Sequence, residues 1–66
     1  MSLYDYRESL ELGIKDAGFY ALIMAAMRKA DTDNLDLLKA AFPDTWRELH
    51  SRYNASGGLL PGEPRP

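Results

Sequence analysis

The chain has 66 residues and a mass of 7.4 kDa, with eight basic against ten acidic side chains, a net charge of −2, a pI near 5.1 and no cysteine. At that length one small domain is expected, in which apolar burial barely offsets the entropy of ordering the chain, and the missing thiols remove disulfides and most metal sites as a remedy. The acidic balance argues against a surface built to neutralise phosphates, and no apolar run approaches the roughly 18 residues of a membrane span.

A first helix is expected over Leu3 to Leu12, with Ser2 as N-cap, Asp5 three residues later in a capping-box position and Gly13 as the stop. Leu3, Tyr6, Leu10 and Ile14 recur at three- and four-residue steps and make one apolar stripe. The other side carries Asp5, Glu8 and Glu11 against Arg7, a local net charge of −2. Nothing in Met1 to Tyr6 reads as a basic leader followed by an apolar stretch, so a cytoplasmic location is expected.

A second helix should begin between Asp16 and Gly18 and run to about Ala30, with Arg28 and Lys29 in its last turn against the exposed carbonyls. Its segment FYALIMAAM, Phe19 to Met27, holds nine consecutive apolar or aromatic residues and no charge. A buried strand competes for such a run, but three alanines and two methionines favour helix. A helix apolar on every side belongs in the middle of a bundle or at an interface. Phe19 to Met27 is therefore expected as the central element, with Phe19, Tyr20, Ile23, Met24 and Met27 as candidate partner-binding residues; ordinary core packing is the competing reading.

The segment KADTDN breaks the pattern with short polar residues suited to turns and caps. Thr32 or Asp33 is expected to cap a third helix, Asn34 to Phe42, with Leu35, Leu38 and Phe42 as its stripe and Leu37 and Ala41 widening it. Pro43 either ends that helix or starts the fourth. The fourth, about Asp44 to Tyr53, has Thr45 and Glu48 at capping-box spacing and an apolar face of Trp46, Leu49 and Tyr53. Beyond it, Asn54 to Pro66 (NASGGLLPGEPRP) reads as a flexible Gly/Pro-rich tail in which Leu59 and Leu60 are the residues able to dock. The expected fold is all-α: a small bundle of three to four short helices over residues 1–53, followed by that tail.

Chemistry is sparse. Asp31, Asp33 and Asp36 suggest the opening of a calcium loop, but counting from Asp31 puts Asp36 where glycine is required and Phe42 where a bidentate glutamate belongs. His50 is the lone histidine, and no serine has a nucleophile's setting. The reading is of a non-enzymatic chain with no catalytic residue, metal, cofactor or small-molecule substrate. Asn54-Ala55-Ser56 matches a glycosylation pattern by coincidence, and Pro61 and Pro64 beside Arg65 have the spacing that an aromatic-lined groove accepts.

The short polar turn between the second and third helices also invites comparison with DNA readers. A recognition helix presents cations and amides at its start, whereas this one opens Asn34-Leu35-Asp36-Leu37 with Lys39 as its one cation.

The segments FYALIMAAMRKADTDN, AAFPDTW and RYNASGGLLPGE resemble a family of small uncharacterised bacteriophage- and prophage-encoded proteins, over roughly Asp5 to Glu63. In that family proline is frequent at the place of Ser56. The resemblance brings no activity and no catalytic residues; it implies a bacterial or phage-infected cytoplasm and action on a protein, such as a host or defence component.

The expected function is a protein-binding module that occludes or stabilises a protein partner or a second copy of itself. Its working surface would join the surplus apolar side of the second helix to acidic groups at Asp5, Glu8, Glu11, Asp31, Asp33 and Asp36, which suit a basic partner surface. A small helical DNA-binding regulator is the alternative.

Overall fold

The computed structural model describes residues 2–64, which form four α-helices and one short 3-10 turn, with no strand among them. The helices are α1 (Leu3–Ile14), α2 (Phe19–Lys29), α3 (Thr32–Ala41) and α4 (Pro43–Tyr53), and the turn is Ser56–Gly58. The all-α bundle expected from the apolar periodicity is the fold.

Local chemistry sets most of the boundaries. Ser2 Oγ accepts from the Asp5 N–H at 3.2 Å and donates to the Asp5 carboxylate at 3.0 Å, so α1 begins at the expected cap. Gly13 does not end it: glycine inside a helix costs about 1 kcal/mol against alanine but blocks nothing, and α1 continues until Lys15 turns extended at φ −68°, ψ 144°. Asp31, rather than Thr32 or Asp33, caps α3 by accepting the Asn34 N–H at 2.9 Å, which starts that helix two residues earlier than expected. Pro43 opens α4 at its first position, where its missing N–H is no loss. The expected capping role of Thr45 is therefore wrong: with Pro43 already inside the helix, Thr45 lies in the first turns and is buried.

Packing also corrects the expected hierarchy. α4, not α2, is the central element: α2, α3 and the 3-10 turn each pack on it. Among the described residues the buried ones are Met27 from α2 and Thr45 and Leu49 from α4, surrounded by half-buried Ile23, Met24, Leu35, Leu38, Phe42 and Trp46. Leu49 presents one side of α4 to its neighbours, whereas the run of α2 spends only part of its circumference there. Leu37 is 68% exposed and Tyr53 74%, so neither extends the core as expected. On a helix, Leu37 lies more than about 100° from the Leu35–Leu38–Phe42 stripe, which is the stripe that α4 covers.

The segment expected as a tail turns back towards α4. The Arg52 guanidinium donates to the Gly58 carbonyl at 2.8 Å and makes a two-pronged pair with both carboxylate oxygens of Glu63, each at 2.8 Å. Gly57, at φ 64°, permits the left-handed step inside the turn, and Ala55, Leu59 and Leu60 are half-buried.

α1 stands apart. Every residue from Ser2 to Gly18 is exposed, and the chain measures 44 × 27 × 16 Å. Its radius of gyration is 14.0 Å, against about 11 Å for a compact chain of this length.

Candidate functional site

Two kinds of surface are built here: apolar helix faces that stay exposed, and a groove between α2, α3 and α4.

On α1 the residues Leu3, Tyr6, Leu10 and Ile14 fall within about 80° of arc, a single stripe along the helix. They are 63%, 61%, 52% and 82% exposed, respectively. The sequence marks these residues as an apolar stripe but does not say what lies against it, and among the described residues the stripe stays exposed. Asp5, Glu8 and Glu11 are all exposed on the same helix.

On α2 the circumference divides. Met27 is buried at 3% and faces the core, while Ile23 and Met24 are half-buried beside it. Phe19 and Tyr20 are exposed at 59% and 60%; their rings meet edge-on with centroids 5.2 Å apart, and Phe19 also meets Phe42 at 6.0 Å. Leu22, Ala25 and Ala26 are exposed as well. Of the five candidate residues on this helix, Phe19 and Tyr20 thus present their rings at the surface, and Met27 is turned inward.

The acidic residues divide between two helices. Asp5, Glu8 and Glu11 belong to α1, whereas Asp31, Asp33 and Asp36 lie at and beyond the N-terminus of α3. Asp31 is engaged as the cap, and a carboxylate there also complements the partial positive charge of the helix start. Among the described residues no three His, Asp or Glu side chains converge as a metal ion would require, and no helix is long and apolar enough to cross a membrane.

The groove is an open cavity of about 440 Å³ lined by Met27, Leu35, Trp46, Leu49 and Tyr53, with Arg28, His50 and Asn54 at its polar side. Lys39 Nζ lies 4.4 Å from the centre of the Trp46 ring, and the His50 ring packs 5.5 Å from it at a tilt of 35°. These contacts pack Lys39 and His50 against the indole, and His50 lines the groove together with it. Sequence reasoning assigned Trp46, Leu49 and Tyr53 to one face; it did not find the groove, because that depends on how far apart α2 and α3 sit on α4.

Beside the groove, the hydrogen bonds from Arg52 and from the Leu60 N–H, at 2.9 Å, hold the Glu63 carboxylate well below the usual carboxylate range, to about 2. The same pairing raises Arg52 above its ordinary value. Arg65, the cation of the proline motif, lies outside the described residues.

Comparison with protein-family models, with curated proteins and with solved structures finds no match.

Proposed function

We propose that this chain is a small protein-binding module whose α1 helix and outer α2 face are association surfaces. The observation that carries the reading is the bare stripe of α1. Twelve residues of helix with none buried are marginal in water, because the nucleation cost is recovered only over longer helices or by docking. A protein surface that covers Leu3, Tyr6, Leu10 and Ile14 supplies that docking.

The chain acts by occupying or bridging a protein surface, without turnover. Its resemblance to small phage-encoded proteins supports a partner in the bacterial cytoplasm, a host or defence component, and the α1 charge of −2 suits a basic partner surface.

The test pairs the wild type with a Leu10→Asp/Ile14→Asp variant as bait against extracts of the native host, with capture read by mass spectrometry. A partner held by the wild type and lost by the variant supports the module. Binding to duplex DNA that weakens steeply with salt, unchanged by the same substitutions, would replace it with the DNA-binding reading.

A further inference from the structure

We infer that the first partner of this module is a second copy of the same chain: α1 of each copy lies antiparallel along the outer face of α2 of the other, in a reciprocal two-fold dimer. The inference rests on the association reading above and names its partner.

The first argument is area. A compact chain of this mass exposes about 4,200 Å², and this one exposes 5731 Å², an excess of about 1,500 Å². Two copies that each hide such an excess would bury about 3,000 Å² in total, which falls in the size class of obligate homodimers. A reciprocal contact closes on itself after two copies and leaves neither helix bare.

The second argument is the match between the two faces. On α2 the residues Phe19, Leu22, Ala26 and Lys29 recur at steps of three, four and three, against three, four and four for Leu3, Tyr6, Leu10 and Ile14 on α1, and they also fall within about 80° of arc. Both helices are short and nearly equal, about 18 Å for α1 and about 16 Å for α2. In the antiparallel direction Tyr6 meets Ala26 and Leu10 meets Leu22, so large side chains of one helix lie over small or medium ones of the other, and alanine lets the backbones approach.

Charge sets the direction and disfavours the other symmetric pairing. α1 carries −2 and has no basic residue in its last turn, whereas α2 ends in Arg28 and Lys29. Packing α1 on a second α1 would bring like charges together; packing it antiparallel on α2 sets the acidic start of one against the basic end of the other and opposes their dipoles. Within one chain, the connection Lys15 to Gly18 is extended at both ends, and α1 is exposed along its whole length. An arm released in this way can exchange between copies.

The absence of cysteine makes the arrangement directly testable. Sedimentation across a low-micromolar to sub-millimolar series should show a dimer. Leu10→Asp/Ile14→Asp should raise its dissociation constant by about 100-fold or more; because both positions are exposed in the protomer, circular dichroism and Trp46 fluorescence should show the α2–α4 body still folded. When a Tyr6→Cys chain is mixed with an Ala26→Cys chain under a thiol redox buffer, the mixed disulfide should predominate over either like-with-like product.

A monomer throughout the series overturns the dimer, as does a dimer indifferent to the double substitution or a predominance of Tyr6→Cys chains joined to each other. The doubly substituted chain Tyr6→Cys/Ala26→Cys separates the two levels of the reading. Closure within one chain shows α1 covering its own α2 and removes the association surface altogether. An open monomer removes only the second copy and leaves the module with a different protein partner.

Discussion

Leu49→Ala probes whether the small body of α2, α3 and α4 is held as its burial indicates. Leu49 is 6% exposed and is one of the few residues the fold seals. Removing most of a buried leucine forfeits about 2 kcal/mol of transfer free energy, and a closed cavity would add more, up to a total of about 5 kcal/mol. Leu49 also lines the open groove of about 440 Å³, so the new space joins the groove instead of becoming a sealed void. The loss should then fall near the low end of the range, about 2.5 kcal/mol. For a chain of this length total stability is on the order of 3 to 10 kcal/mol, so the variant gives up a quarter of it or more. Urea unfolding followed by both circular dichroism and Trp46 fluorescence measures the difference, with Leu10→Ala as companion. In dilute protein that second change, at a 52% exposed position, should cost less than about 0.5 kcal/mol. The burial argument fails if Leu49→Ala lies within about 0.5 kcal/mol of the wild type, or if dilute Leu10→Ala costs as much.

Acid should release the C-terminal turn from α4. The folded-state value of Glu63, about 2, lies below its ordinary 4.5, so the Arg52 pairing is fully present above that ordinary value and is lost as pH falls through the folded one. The Leu60 amide shift measured by NMR should follow this titration, and Glu63→Gln should abolish it; a Leu60 shift that ignores pH, or titrates at the ordinary value, would contradict the pairing. Asp31→Ala should cost about 1 kcal/mol in thermal or urea unfolding through loss of the α3 cap, whereas Asp33→Ala, which removes no cap, should cost less. Gly57→Ala should cost about 1 kcal/mol through backbone strain at φ 64°, because open space surrounds the position and no clash contributes; an unchanged unfolding midpoint would refute that account.

The four helices were legible because periodicity is a local property. Leu3, Tyr6 and Leu10 announce α1, and Leu35, Leu38 and Phe42 announce α3, whatever lies against them. What covers a stripe is a tertiary fact that sequence does not carry: the α1 stripe is legible as one helical face, and the fold leaves it exposed. The same limit explains α4. The α2 run is by far the most apolar segment, so composition puts it at the centre, yet position in a bundle depends on which helix has neighbours on several sides. The Ser2 cap was legible, but the α3 cap was missed by competition, since Asp31, Thr32 and Asp33 can all accept a hydrogen bond and only the local backbone decides which of them does. The Arg52–Glu63 pair joins residues eleven apart across a Gly-rich turn, and neither residue type nor spacing signals it.

The apolar excess of α2 alone would not distinguish a tight core from an association surface; its division into an inward Met27 and outward Phe19, Tyr20 and Leu22 gives it meaning only beside α1. Two exposed faces of similar length, each within about 80° of arc, lie on consecutive helices of one chain, joined by four residues. If α1 were simply frayed chain, its stripe would need no continuity from Leu3 through Ile14, and a capped start at Ser2 would stabilise nothing in particular. If α1 were a fourth member of the bundle, some of its residues would be withdrawn from water. The structure holds a capped, amphipathic and unburied helix, and on the association reading proposed above such an element gains free energy by contact with a surface outside its own protomer.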